Sequence, residues 1–208
     1  MSKKSSKWYK AHINDEFVKL ANKGNWRSRA VFKLKEIDEK YNLITENSNI
    51  LDLGSAPGGW SQYASLKHKN IKITAIDLIN MESIHNVNFV QSDIEQFSEN
   101  FLKNNNFDKI DLVMSDIAPN ISGIESADVP AMLNLADIVV EVAITSLKDS
   151  GNLLVKLFQG KGTDEYMKDM RNYFEKVRII KPKASRSNSR EIYMLATKLK
   201  SKSTIQDQ

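Results

Sequence analysis

Apolar positions along the chain change their period several times. Between Arg27 and Tyr41 they fall at 30, 31, 34, 37 and 41, the three-and-four spacing of an amphipathic helix. Short runs of strand character follow: NILDL at 49–53, KITAID at 72–77, VNFVQSD at 87–93, IDLVMSD at 110–116, NLLVKLF at 152–158, VRII at 177–180 and IYMLATK at 192–198. Helical patterns separate several of them, at 59–68, 130–147 and 164–175, and apolar positions 132, 135, 138, 139 and 142 read as core packing. Strands alternating with helices predict an α/β fold: a mostly parallel sheet covered on both faces, with right-handed crossovers. The last two strands are joined by KPKASRSNSREI, which has little helical pattern, so the sheet should close with an antiparallel hairpin at one edge.

In such a sheet ligands bind beyond the carboxyl ends of the strands, near the point where strand order reverses. The first strand runs into Gly54-Ser-Ala-Pro-Gly-Gly59-Trp60, and Asp77, Asp93, Asp116 and Lys156 lie at or near the ends of the next four. The loop departs from the GxGxxG of dinucleotide sites, and Pro57 removes one amide donor. Acids on successive strands suit a ligand with hydroxyls, an amine and a positive centre better than a diphosphate. Asp77 is placed for ribose hydroxyls, Asp93 for an adenine amine, and Trp60 offers apolar surface. That ligand resembles S-adenosylmethionine.

Charge and composition narrow the picture. At 208 residues, 41% of them apolar, the chain supports one core. We expect a basic, loosely ordered segment at 1–15, a single domain at 16–199 and a flexible tail at 200–208. Net charge is only +4, but residues 1–40 hold eleven Lys/Arg against five acids, residues 176–202 nine against one, and the stretch between ten against nineteen. Two basic ends flanking an acidic body suggest a polyanionic partner, although each also reads as ordinary solvated charge. There is no Cys, and His12, His68 and His85 lack a short paired spacing, so a protein-held metal is not expected. No apolar run approaches a membrane span and no secretory signal opens the chain, which leads us to expect a soluble, cytoplasmic protein without a membrane partner.

Five blocks, RSRAVFKLKEI (27–37), LDLGSAPGGWSQY (51–63), MSDIAPNISG (114–123), LLVKLFQG (153–160) and SRSNSREIYMLAT (185–197), resemble in order those of the FtsJ/RrmJ family of ribosomal RNA large-subunit 2′-O-methyltransferases. The likeness runs from about residue 6 to 198. Ser55, where alanine is frequent, and the Gly24-Asn-Trp26 approach are small departures. The resemblance implies a Rossmann-like class I fold of seven strands, the last antiparallel, and a Lys-Asp-Lys-Glu tetrad carried over to Lys33, Asp116, Lys156 and Glu191. It places the cofactor S-adenosylmethionine against Gly54, Ala56, Pro57, Gly58, Gly59, Trp60, Asp77, Leu78, Asp93, Ile94 and Asp116. Its implied target is a uridine in the A-loop of large-subunit ribosomal RNA, on the assembled large subunit, with the enzyme acting as a monomer.

A ribose 2′-hydroxyl holds its proton at neutral pH, so methyl transfer to it needs activation and aim. Lys156 can take the proton or stabilise the developing alkoxide; Lys33 favours the neutral form of that lysine by repulsion, Asp116 and Glu191 the charged form. Lys156 interrupts an apolar strand, a costly place for a lysine without a partner or a role. Simpler readings stand beside the other three: Lys33 as a surface lysine, Asp116 as a turn cap, Glu191 as partner of Arg190 or Arg186. No aromatic follows Pro119, as amino-directed Asp-Pro-Pro-Tyr methyltransferases require, which points to oxygen as acceptor. Lys3, Lys4, Lys7, Lys10, Arg27 and Arg29, with Trp8, Tyr9 and Trp26 among them, and Lys181, Lys183, Arg186 and Arg190 are candidate RNA contacts. Transfer RNA or an mRNA cap remains an alternative substrate. A non-catalytic ribosome-assembly factor would need only the basic flanks, and a nicotinamide oxidoreductase is disfavoured by the missing GxGxxG.

Overall fold

The computed structural model describes residues 15–97, 109–186 and 188–201. In chain order the elements are α1 (Glu16–Lys23), α2 (Val31–Tyr41), β1 (Asn49–Leu53), α3 (Gly59–Lys67), β2 (Lys72–Asp77), β3 (Val87–Gln91), β4 (Ile110–Ser115), α4 (Glu125–Ser146), β5 (Leu147–Phe158), α5 (Thr163–Tyr173), β6 (Phe174–Ile180) and β7 (Glu191–Leu199). The seven strands form one sheet in the order β3-β2-β1-β4-β5-β7-β6. Strands β1 to β5 run parallel to one another, and β7 runs antiparallel to both β5 and β6. This is the Rossmann-like architecture expected, and its hairpin does close one edge. The last strand in sequence, however, is inserted between β5 and β6, leaving β6 at the border.

Alternation of side chains along the strands divides the core. Leu51, Leu53, Val113, Leu153, Val155 and Leu157 pack with α4 and α5, whose Ala136, Val139, Ala143, Met167 and Met170 are buried. On the opposite face Ile50, Leu112, Met114, Leu154, Tyr193 and Leu195 meet Leu34 and Ile37 of α2 and Trp60 and Ala64 of α3. Each fully buried Leu or Ile contributes on the order of 2 kcal/mol of apolar burial. At 22 residues and largely apolar, α4 is long enough to cross a membrane, contrary to the sequence expectation that no segment is. Its Val129, Met132, Ala136, Val139, Val142 and Ala143 face the protein core instead.

Local chemistry shifts several boundaries. The pattern begun at Arg27 becomes helix only at Val31, because Arg27–Ala30 lies against the glycine loop: Arg27 N–H donates to Gln62 Oε1 at 3.0 Å. The third strand stops at Gln91, where Ser92 N–H donates to the Asp77 carbonyl and Asp93 Oδ1 accepts from Glu95 N–H at 2.8 Å. Helix α4 starts five residues earlier than expected and carries Pro130 inside it. Helix α1 was not anticipated, although Asp15 caps it by accepting from Phe17 N–H, and Glu16 sits in its first turn.

Candidate active site

The reversal of strand order falls between β1 and β4, so the loop after Leu53 and the loop after Ser115 face one another. Between them opens a cleft of about 750 Å³. Gly54, Ala56, Asp77 and Leu78 line one side of it. Asp93, Ile94 and Asp116 line it beyond the next strands, together with Ile117 and Asn134, which the sequence had not singled out, and Ile138, which it had assigned to core packing. Asp77 also braces the loop, its Oδ2 accepting from Ala56 N–H and its Oδ1 from Ile79 N–H, each at 2.8 Å.

The remaining loop residues serve packing. Gly58, at φ +100°, backs onto Ile84, Met81 and Arg27, with 2.8 Å from an added Cβ to Ile84 Cδ1, and Gly59 onto Ser28, with 2.4 Å to its Oγ. Pro57 lines a shallower depression beside Arg27 and Met81. Trp60, expected beside the ligand, is buried on the α2 side; its indole donates to the Ala30 carbonyl at 2.9 Å and its ring lies 5.8 Å from that of Tyr193. Bare backbone is demanded most strictly at Gly54, which has φ +74° and leaves 2.7 Å between a hypothetical Cβ and Ile117 Cβ. Gly54→Ala should therefore lower stability by about 1–3 kcal/mol and displace Ile117 into the cleft. Thermal unfolding, together with cofactor titration, measures both effects.

At the inner end of the cleft the four tetrad positions converge. Lys156 Nζ lies 3.2 Å from Asp116 Oδ1, and Lys33 Nζ lies 3.7 Å from the same oxygen and 3.3 Å from Glu191 Oε2. Lys156 also donates to the Asp116 carbonyl. Both lysines are buried, 7% exposed at Lys33 and 5% at Lys156, so Lys33 is no surface lysine. Glu191 is not paired with a neighbouring arginine, since Arg190 binds Glu125 at 2.9 Å and Arg186 faces Asp15 at 3.5 Å. Tyr193 is the residue that sequence reasoning missed. It is opposite Lys156 in the β5–β7 register, donates its hydroxyl to Asp116 Oδ1 at 2.5 Å, and presents its ring 5.6 Å from Lys33 Nζ.

These contacts set the charges. Burial works against the Asp116 carboxylate, but the ammonium groups of Lys156 and Lys33 and the Tyr193 hydrogen bond hold its pKa below the ordinary value. Burial, followed by the Asp116 charge, pushes the Tyr193 phenol well above its usual range and keeps it a donor. Asp52, one strand away, is also buried; desolvation, reinforced by Asp116 and Asp77 and opposed by the Ser61 hydroxyl at 2.6 Å, raises its pKa to about 7.

A second hollow, of about 590 Å³, adjoins the tetrad and shares Lys33 and Glu191 with it. Arg29, Arg186 and Arg190 line it, beside apolar Val129 and Phe158. Of the other candidate RNA contacts, Lys7 and Lys10, with Lys3, Lys4, Trp8 and Tyr9, lie outside the described residues. Lys181 donates to the Ser189 carbonyl, and Lys183 is held through its backbone by Glu36. Arg27 is committed elsewhere: its guanidinium donates to the carbonyls of Pro57, Glu82 and Ser83, tying the glycine loop to the segment after β2. Trp26 packs on Tyr63, with ring centroids 6.3 Å apart.

Comparison with known proteins identifies the family and the fold. The family model described as FtsJ-like methyltransferase matches residues 26–199. The chain is 46% identical over 198 residues to ribosomal RNA large subunit methyltransferase E of Pseudomonas fluorescens, covering 94% of this chain and 95% of that protein. The protein of the same description from Vesicomyosocius okutanii is 45% identical over 205 residues, covering 96% and 98%. A crystal structure of a ribosomal RNA methyltransferase from Plasmodium falciparum superposes with a TM-score of 0.75 at 30% identity, covering 84% of this chain and 98% of that one.

Proposed function

The chain belongs to the FtsJ-like methyltransferase family, and from that premise we propose that it methylates a ribose 2′-hydroxyl of ribosomal RNA with S-adenosylmethionine as donor. The observation that carries the reading is the position of Asp116. Its residue lines the cleft of about 750 Å³ on one side and its carboxylate joins the two buried lysines on the other, so donor and acceptor sites meet at one group.

The cleft fits the donor. Its volume lies within the roughly 300–1,000 Å³ of small-molecule sites, it is lined by three aspartates, and Leu78, Ile94, Ile117 and Ile138 give it apolar walls. When bound, the donor supplies an electrophilic methyl carbon on a sulfonium. Asp77 and Asp93 would hold its sugar and base end, and Gly54 would let it lie close to the main chain. Lys156 Nζ would face the acceptor oxygen and, as an ammonium, stabilise the alkoxide that develops as the hydroxyl proton passes to water. Lys33, clamped between Asp116 and Glu191, and Tyr193 fix the carboxylate that orients Lys156. Holding the reacting groups in line supplies several kcal/mol, up to about 7–11 in well-oriented model reactions.

The relatives' name supports large-subunit ribosomal RNA as substrate. The likeness to the family adds a uridine of the A-loop on the assembled large subunit, in the cytoplasm. Transfer of labelled methyl to purified large subunits, followed by digestion to locate the modified sugar, tests the reading; label on a base or on no RNA overturns it. Arg29 is tied to Asp15 and the Ala184 carbonyl, but Arg186 and Arg190 keep 41% and 48% of their side chains exposed beside the acceptor hollow, so the logarithm of RNA affinity should fall against that of salt with a slope of about −1.4 or steeper. Filter binding across a salt series checks it, and a flat response removes the arginines from the RNA path.

A further inference from the structure

The loop between β4 and α4 carries two large aliphatic side chains at the edge of the acceptor hollow with no apolar cover: Ile121 is 62% exposed and Ile124 is 60% exposed. The turn that presents them is braced. Asp128, the fourth residue of α4 and only 6% exposed, accepts from Ser122 N–H at 2.8 Å, Ser122 Oγ at 2.7 Å and Gly123 N–H at 2.9 Å. Ile124 N–H donates in turn to Ser122 Oγ at 3.1 Å. Gly123, with φ +85° and no atom within 4 Å of a hypothetical Cβ, forms an open crest between the two isoleucines. Exposed apolar groups on such a fixed turn are costly in water unless something apolar is brought to them.

The surroundings identify that partner. Arginines 29, 186 and 190 line the hollow that Ile121 borders, and two members of the tetrad form its wall. Although each arginine has an acidic partner, Asp15 or Glu125, the side chains of Arg186 and Arg190 stay 41% and 48% exposed and can turn to phosphates, and the apolar surface of a polyanionic RNA is the face of an unstacked base. Placing a ribose against Lys33 and Glu191 in a concave hollow requires its nucleotide to leave the stack. Proteins that unstack a nucleic acid often insert aliphatic side chains into the vacated step. Resting on the proposed methylation of RNA, we infer that the 121–124 turn is an unstacking wedge: Ile121 and Ile124 take the place of the acceptor nucleotide against its neighbouring base.

The test compares the full chain with Ile124→Ala and Ile124→Met, since residue 124 does not line the hollow. Two substrates are used with labelled cofactor: a stem-loop RNA in which the acceptor is stacked, and a single-stranded oligoribonucleotide of the same local sequence. Ile124→Ala is expected to methylate the stem-loop about tenfold more slowly while its rate on the single strand changes little, and Ile124→Met, which keeps aliphatic bulk, recovers most of the loss. A 2-aminopurine beside the acceptor should brighten on binding the unaltered chain and stay dim with Ile124→Ala. Equal loss on both substrates, or no loss on either, overturns the wedge while leaving the methylation reading intact. Where neither naked RNA is methylated, the same three proteins are compared on purified large subunits: full activity of Ile124→Ala there overturns the wedge, and absence of ribose methylation by the unaltered chain overturns the methylation reading and the wedge with it. Loss of stem-loop activity restored only by a protein partner also overturns it, by assigning the turn to that partner.

Discussion

Lys156→Met is expected to reduce methyl transfer by about a thousandfold or more while leaving cofactor affinity nearly unchanged. Methionine keeps the length and apolar stem of the side chain, so the change removes the ammonium group from its place 3.2 Å from Asp116 without opening a large cavity. Lys156 does not line the cleft of about 750 Å³, which is why binding there should survive. Tyr193→Phe makes an informative companion. It keeps the ring over Lys33 and the packing against Trp60, and removes one hydrogen bond to Asp116. Its loss should be closer to tenfold, the worth of a single hydrogen bond to a charged group. Single-turnover rates with saturating cofactor, beside calorimetric titration of the cofactor, separate the two effects. Full turnover by Lys156→Met would remove the strand lysine from the chemistry.

The other large effect is on stability. Asp52→Asn is expected to abolish most of the fall in stability between about pH 4 and pH 7 and to stabilise the protein at pH 8 by up to about 4 kcal/mol. Burial raises the Asp52 pKa from 3.8 to about 7. The folded state therefore binds this proton more tightly than the unfolded chain does. Its stabilising effect is complete below the unfolded value and is lost as pH rises through about 7. Asparagine stays neutral throughout and can still accept from the Ser61 hydroxyl. Asp116 and Asp128, whose pKa values are lowered, act with the opposite sign and only on the acid side of pH 4, so the window belongs to Asp52. Denaturant unfolding of both proteins at pH 5 and pH 8 decides the matter: parallel pH dependences would show that Asp52 is not the group responsible.

Much of this was legible in the chain. Short runs of strand character marked all seven strands, and the five blocks carried Lys33, Asp116, Lys156 and Glu191, which the fold brings within a few ångströms of one another. What escaped depends on register between distant segments. Tyr193 sits in IYMLATK like any core aromatic; only the pairing of β7 with β5 places it opposite Lys156. Asp52 reads as a polar interruption until α3 turns back and lays Ser61 over it. Trp60 and Arg27 were assigned to ligands because an aromatic beside a glycine loop and an arginine in a basic stretch have that use in general. Here the first fills the core under α2, and the second is saturated by three carbonyls. Gly58 and Gly59 likewise yield to a neighbouring segment of the chain, a requirement that no local pattern announces.

The insertion of β7 between β5 and β6 has a bearing on biosynthesis. Everything that lines the donor cleft lies N-terminal to residue 139, whereas Glu191 and Tyr193 arrive on β7, the last strand in sequence. A growing polypeptide halted after Ile180 would leave the Lys156 strand with an unpaired border and its carboxylate partner without the tyrosine donor. Assembly of the proposed tetrad thus waits on the synthesis of β7, and a stop codon before it would expose the border of β5 as a sticky edge.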